Sequence, residues 1–409
     1  MIMEQAKVKE NTPAIGELFR RYGEGYIQKH KLTGQEKGII RLLSSCRTPV
    51  LGTHIQQCTH CGYWETACNS CRNRHCPVCQ YKNREKWFRK RQQELLPVKY
   101  FHIVFTVPVE LNELFPQNRK IMYDILFRSA SESLIELAKD RKHVGALTGI
   151  IAVLHTWGQN LMEHPHLHCM VPAGGLSGDR QQWVHSREDF FISVFALSSM
   201  FSGKFCAYLK EANQNNRLSF RGKISHLEKG MQFKQLLQRL YKISWVVNSG
   251  TKPFLKPDHA LEYLSRYINR IAIANRRILK VEKGRVTFLW KDYRDRKTKR
   301  MTLEVHEFIR RFLLHLLPDG FLKIRYYGIF SNRYKRENIE KANELLQAEG
   351  ALQKEEYFHD HGIENTKLSE DPIWDELYKL IFDKPYNLCP VCGTGKMVYG
   401  GQVKRPGGG

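Results

Sequence analysis

The chain has 409 residues, 42% of them hydrophobic, which is length enough for two or three domains with a sizeable core. Its 65 Lys+Arg against 41 Asp+Glu leave a net charge of +24, an excess that points to a polyanionic partner whose counterions the cations release. No apolar run approaches the ~20 residues of a spanning helix, and the N-terminal MIMEQAKVKENT lacks the apolar core of a signal peptide, so a soluble, cytoplasmic, nucleic-acid-binding protein is expected.

Taken in chain order, residues 1–45 predict N-terminal helices: Leu18, Phe19, Tyr22 and Tyr26 recur at helical spacing among Arg20, Arg21 and Lys29. Residues 46–96 form a cysteine-rich segment followed by a basic helix, YKNREKWFRKRQQELL. Residues 97–330 alternate strands and helices. Strand-like runs lie at YFHIVFTVP (100–108), GIIAVLHTW (149–157) and HLHCMVP (166–172), with a helix over 117–139. A mostly helical stretch spans 187–243, WVVNSG reads as a strand, and PDHALEYLSRYINRIA reads as a helix. RVTFLWKDY and KRMTLEV read as a hairpin before the helix EFIRRFLLHLL. Residues 331–409 turn to charged helix, then to a Cys389-Pro-Val-Cys392 knuckle and a Gly-rich tail. Strands and helices in this order predict an α+β core.

Most of the eleven cysteines fall in Cys-x-x-Cys pairs, a spacing that favours zinc over disulfides in a chain without a secretory leader. Fourteen residues separate the pairs Cys58/Cys61 and Cys76/Cys79, the layout of a four-cysteine zinc ribbon in which each knuckle gives two thiolates. Cys71, His75, Cys46 and His54 are further candidate ligands and allow a second zinc; Cys68 reads equally well as a small core residue. Cys389 and Cys392 can be half of another site, with His359 and His361 as partners. After the ribbon come Arg72, Arg74, Lys82, Arg84, Lys86, Arg89, Lys90 and Arg91, interleaved with Trp87 and Phe88. A charge run is commonly a solvated helix face. Beside a zinc ribbon, in so basic a chain, it points to DNA, with cations on the backbone and aromatics as stacking platforms.

The stretch EHPHLHCMV sets His164, His166 and His168 at alternate positions, which a strand turns to one face. Pro165 cannot donate to a ladder, so the strand should begin there and His164 is the weaker ligand. Two imidazoles leave positions open on a divalent ion for a phosphate oxygen; the plainer reading is surface histidines. In the helix that follows, Asp258 reads as the N-cap, and Leu261, Leu264, Ile268 and Ile271 form an apolar stripe. At ~100° per residue, Tyr263, Arg266, Tyr267 and Arg270 fall on the other side. One tyrosine there would be packing. Two, one turn apart and flanked by arginines, suggest nucleophiles.

HPHLHCMVPAGG followed by YLSRY resembles the two-tyrosine HUH transposases of rolling-circle insertion sequences, the IS-ninety-one type. CRTPVLG, NSCRNRHCPVCQ, VLHTWGQNL, YLSRYINRIAIANRRI, VTFLWKDYRD and HLLPDGFLKIRYYG match it in order, across roughly residues 40–330. The resemblance implies an HUH domain, an RNA-recognition-motif-like antiparallel sheet flanked by helices, behind an N-terminal zinc ribbon. It implies Mg²⁺ or Mn²⁺ on His166 and His168, with a third ligand open among Glu262, Asn269 and His155. It implies nicking of single-stranded DNA at transposon ends, and strand transfer to target DNA, through a 5′-phosphotyrosine bond on Tyr263 or Tyr267, with Arg266 and Arg270 on phosphate. It places the protein in the bacterial cytoplasm, on the nucleoid. GTGKM near residue 393 lacks the spacing of a nucleotide-binding loop. Rival readings are a replication initiator or relaxase with the same chemistry, a non-catalytic zinc-containing DNA-binding regulator, and a metal-dependent hydrolase that uses water.

Overall fold

The computed structural model describes residues 15–187, 191–249, 252–268, 272–292, 295, 297–350 and 388–402. Two amphipathic helices come first, α1 (Ile15–Lys29) and α2 (Gly34–Ser44). The second is started by a capping box in which the Thr33 hydroxyl accepts from the Glu36 amide while the Glu36 carboxylate accepts from the Thr33 amide. Strands β1 (Thr53–Cys58) and β2 (Trp64–Cys68) form a hairpin, and the basic helix α3 (Gln80–Gln92) follows.

The centre of the molecule is a five-stranded antiparallel sheet. Its strands are β3 (Tyr100–Thr106), β4 (Gly149–Trp157), β5 (Glu163–Pro172), then, beyond a short hairpin β6 (Gly174–Leu176) and β7 (Trp183–His185), β8 (Val246–Ser249) and a last strand from near residue 324. Helix α4 (Phe115–Lys139) carries the chain from β3 over to β4, leaving a gap that β5 fills; α5 (Val194–Gln214) and α6 (Gly230–Lys242) return it to the edge at β8. Helix α7 (Pro257–Ile268) then crosses the opposite face. A second antiparallel sheet holds β9 (Ile278–Glu282), β10 (Arg285–Lys291) and β11 (Thr298–Glu304), capped by α8 (Val305–Leu314). Strand β12 (Ile324–Gly328) closes the central sheet in the order β12-β4-β5-β3-β8, and α9 (Lys335–Ala348) packs beyond it. The last described segment contains β13 (Met397–Gln402), which pairs with β1 to make a three-stranded sheet β13-β1-β2.

Strand periodicity decides which residues face the site. Phe101, Ile103 and Phe105 on β3, Ile150, Ala152 and Leu154 on β4, and Leu167, Cys169 and Val171 on β5 share the core with α4, α5 and α6. Each of the larger side chains, Val, Leu, Ile or Phe, contributes about 1.5–3 kcal/mol when fully buried, and a one-residue slip would turn all of them outward. The other set, His102 on β3, His155 on β4 and His166, His168 and Met170 on β5, is thereby fixed to the α7 side. The expected α+β class with antiparallel strands is what is found. The hairpin expected from RVTFLWKDY and KRMTLEV gains a third strand, β9, because Val281 and Ile278 pair with Val286 and Phe288. Helix α7 begins at Pro257, so Asp258 lies inside the first turn, not ahead of it as an N-cap, and its carboxylate accepts from Gln92 of α3 at 3.2 Å. No helix among the described residues is long and apolar enough to cross a membrane.

Candidate functional site: a histidine face and two thiolate clusters

Three imidazoles meet on the central sheet. His155 of β4 pairs across the ladder with His166 of β5, and Val153 with His168. Ligand atoms of His155, His166 and His168 all lie within 4.8 Å of one another. Two other contacts orient the rings. Nδ1 of His166 reaches the main-chain carbonyl of His164 at 2.6 Å, and Nδ1 of His168 bonds Nε2 of His102 at 2.8 Å. The remaining nitrogen of each ring is Nε2, an arrangement typical of metal-ligating histidines, whose second nitrogen is held by a neighbour. Burial pushes His166 down to about 4, so it is a neutral donor at physiological pH. His155 lies against Trp157, ring centroids 4.7 Å apart. Of the three candidates for a third ligand, His155 lies with the pair, exposed Glu262 is not in that group, and Asn269 lies outside the described residues. His164 is exposed, lies outside that group, and meets His166 through its main-chain carbonyl.

His102 had no local signal beyond its alternation with Phe101 and Ile103. It sits between His168 and the tyrosine helix: its ring stacks with His168 at 5.1 Å and meets Tyr263 edge-on at 4.8 Å. Burial holds it, too, at about 4. Tyr263 is half-buried against His102 and Phe254 (5.2 Å). It was expected on the side away from the stripe. The buried face of α7 is wider than Leu261 and Leu264, because Ala260 is also fully buried, and Tyr263 lies only about 60° from Ala260 around the helix. Tyr263 therefore borders the sheet. The side chains of Arg266 and Tyr267, and all of Arg270, lie outside the described residues.

Glu163 stands at the start of β5. Its Oε1 is buried without a hydrogen bond, and burial raises the carboxyl to about 7 against the pull of Arg119 and Arg310.

The cysteines do not form the ribbon their spacing predicts. Cys76 and Cys79 group with Cys46 and Cys71, with Sγ–Sγ distances of 3.6 Å (Cys46–Cys76), 3.8 Å (Cys46–Cys79) and 3.6 Å (Cys71–Cys79). Cys58 and Cys61 group instead with Cys389 and Cys392, at 3.7 Å (Cys58–Cys392) and 3.6 Å (Cys61–Cys389). The reason is the strand β13, which docks on β1 and brings its own knuckle to that of β1, while Cys46 at the end of α2 reaches the second pair. His75 is not in either group; it is buried, its amide donates to Asn73, and burial with nearby Arg74, Lys323 and Arg119 holds it at about 3. His54 bonds Asn69, and Cys68 stands apart from both clusters. His359 and His361 lie outside the described residues.

The basic segment is less uniform than its sequence. Arg72 and Lys90 are exposed and Arg89 is half-buried, whereas the side chains of Lys82, Arg84 and Lys86 lie outside the described residues. Arg91 is turned inward: it is buried in an ion pair with Glu94 at 2.7 Å and lies over the Tyr326 ring. Trp87 is half-buried too and donates to Tyr326 Oη at 2.9 Å. These two side chains anchor α3 to the sheet. Arg74 is held by the Phe321 carbonyl at 2.8 Å.

Residues 149–338 match the family described as putative transposase, and residues 18–107 match the transposase zinc-binding domain. A putative transposase of Sinorhizobium fredii is 40% identical over 389 residues, 94% of each chain. The transposase for insertion sequence element IS801 of Pseudomonas savastanoi is 29% identical over 323 residues, 78% of this chain and 76% of its own. No solved structure matches.

Proposed function

The chain belongs to the insertion-sequence transposases of the IS-ninety-one type, with an N-terminal zinc-binding domain, and from that premise we propose that it nicks single-stranded DNA at its element's ends and transfers the strand by rolling-circle transposition through phosphotyrosine bonds. The observation that carries this reading is a convergence. Three imidazole donors share one patch of the sheet, and Tyr263 reaches the same patch through His102.

His155, His166 and His168 would hold the divalent cation, which when bound polarises the scissile phosphate as a Lewis acid. The donor set fits: all three are imidazoles on adjacent strands, and His166 and His168 have Nδ1 engaged elsewhere. Mg²⁺ and Mn²⁺ both prefer oxygen ligands, so phosphate oxygens of the bound DNA would have to complete the set for either.

The Oη of Tyr263, or of Tyr267 one turn on, attacks phosphorus. The P–O3′ bond breaks, the phenolic proton is made up on the departing 3′ oxygen, and the products are a 5′-phosphotyrosine and a 3′-hydroxyl. One phosphodiester replaces another, so rejoining needs no nucleotide hydrolysis. A phenol with pKa near ~10 must surrender its proton to do this, and Arg266 and Arg270 are assigned to the phosphate charge. Two tyrosines serve two successive transfers. His102 is a positioning residue that fixes the ring of His168 and seats that of Tyr263. Arg72, Arg89 and Lys90 are assigned to the DNA backbone, and Lys82, Arg84 and Lys86 are assigned the same role from their place in the sequence. The zinc of the N-terminal domain is assigned to Cys46, Cys71, Cys76 and Cys79.

The test is a denaturing gel of protein with labelled single-stranded oligonucleotides from the element's ends, with and without Mn²⁺ or Mg²⁺. A metal-dependent covalent adduct that disappears in the Tyr263→Phe/Tyr267→Phe double variant is expected. Cleavage with no adduct would make water the nucleophile and overturn the proposal. Binding without cleavage would leave a DNA-binding regulator.

A further inference from the structure

We infer that Cys58, Cys61, Cys389 and Cys392 form a second, closed zinc site, and that the metal there makes the C-terminal segment a structural part of the N-terminal domain. The matched zinc-binding domain ends at residue 107, so half of this site lies almost three hundred residues beyond it.

Four observations converge on a metal. The first is distance. A tetrahedral Zn–S₄ centre with bonds of ~2.3 Å has sulfur–sulfur edges of about 3.8 Å. The pairs here stand at 3.7 and 3.6 Å, far from the ~2.0 Å of a disulfide.

The second is the shape of the two loops. Each is Cys-x-x-Cys-Gly, and each glycine takes the left-handed turn that a knuckle needs, Gly62 at φ 73° and Gly393 at φ 67°.

The third is the sulfur hydrogen bonding. The amides of His60 and Cys61 donate to Cys58 Sγ at 3.3 and 3.4 Å. The amide of Val391 donates to Cys389 Sγ at 3.4 Å, and the amide of Gly395 to Cys392 Sγ at 3.3 Å. N–H groups aimed at sulfur stabilise thiolates, and hydrogen bonds of this kind tune metal ligands.

The fourth is the way the two loops are fitted together. A Cβ on Gly395 would stand 2.3 Å from Cys58 Sγ, so only glycine allows the approach. The Thr59 amide donates to the Lys396 carbonyl at 2.9 Å, and the Lys396 amide to Thr59 Oγ1 at 3.1 Å.

Four sulfurs leave no open position, so the site is structural, not catalytic. The apolar support is slight: the buried cluster around it contains Cys58, Cys389 and Met397, with Tyr63 and Cys392 against it. With so little core, pairing of β13 with β1 should depend on the metal.

The experiment is elemental analysis of the purified full chain and of three variants, with circular dichroism to verify the fold. We expect two zinc ions per wild-type chain and one in Cys389→Ser/Cys392→Ser. We expect one also in Gly395→Ala, which removes no ligand and so separates steric closure from loss of sulfur. Cys46→Ser/Cys76→Ser should lose the other ion and keep this one. Amide exchange across residues 397–402 should become fast in the first two variants and stay slow in the third. A zinc content unchanged by Cys389→Ser/Cys392→Ser would overturn the inference. So would non-reducing mass spectrometry that finds Cys58 linked to Cys392, or slow exchange of β13 after the second ion is gone. None of these readouts depends on DNA cleavage, so they stand apart from the outcome of the gel.

Discussion

The histidine face and the thiolate clusters both gather donors for a cation, but from opposite kinds of scaffold. The imidazoles sit on neighbouring strands of one sheet, with Leu154, Leu167 and Phe105 fully buried beneath them. Their positions follow from the ladder and the core, and exist before any ion arrives. The sulfurs of Cys58, Cys61, Cys389 and Cys392 belong to two loops with almost no apolar core of their own. On the proposed reading, one region would use the fold to place ligands for chemistry, and the other would use ligands to complete the fold.

That contrast can be broken experimentally. The largest effect expected is the loss of DNA cleavage in His166→Ala/His168→Ala, on the order of 10³-fold or more, since metal polarisation of a phosphate contributes several kcal/mol. Thermal melting should change less by comparison, because His166 is only half-buried and the larger apolar cluster, with Phe105, Leu154 and Leu167, lies on the other face. Cys46→Ser/Cys76→Ser should do the reverse, lowering the melting temperature first and activity only through it. A histidine variant that unfolds the chain would erase the distinction. Next in size is Leu167→Ala, which removes the buried anchor between the two histidines. A cost of about 2–5 kcal/mol in chemical denaturation is expected, together with weakened metal binding.

His102→Ala sharpens the comparison within the histidine face. Loss of an outer partner typically weakens a metal site about 10–100-fold. The Mn²⁺ concentration for half-maximal cleavage should rise by that factor, while excess Mn²⁺ restores part of the rate; a lowered rate with unchanged Mn²⁺ dependence would leave only the contact with Tyr263. The smallest effect concerns Glu163. Its carboxyl is raised from 4.5 to about 7 by burial. The folded state therefore holds the proton more tightly than the unfolded one. The stability this protonation supports is complete below about pH 4.5 and is lost as pH rises through about 7. Glu163→Gln should be more stable than wild type at pH 8, by on the order of 2 kcal/mol, and equal to it near pH 4. Equal melting at both values would show that the carboxylate is solvated.

How much of this was written locally differs between the two regions for the same reason. Alternation alone turns His166 and His168 to one side, so that half of the site is visible in nine letters. His155 and His102 come from other strands, and only the pairings His155 with His166 and Val104 with His168 bring them in; nothing in either stretch specifies that register. The cysteines were the right residue type in the right motif, yet spacing assigned Cys58/Cys61 to Cys76/Cys79 when each pair closes with another. A knuckle states that it needs a second knuckle but not which one. The basic helix misled for a different reason: charge along a chain says nothing about rotation, and Arg91 and Trp87 fall on the face that α3 turns to Tyr326.

The distance between the two halves of the Cys58 cluster also orders events in time. Its sulfur pairs are separated by 328 and 334 residues. At ~5–20 residues per second of synthesis, the first knuckle leaves the ribosome roughly 15–65 s before its partner exists. During that interval β1 presents an unpaired edge and two unmatched thiols, and any chain interrupted before Cys389 keeps them. The closing of this ribbon thus records that translation has passed the whole of the sheet on which the histidines lie.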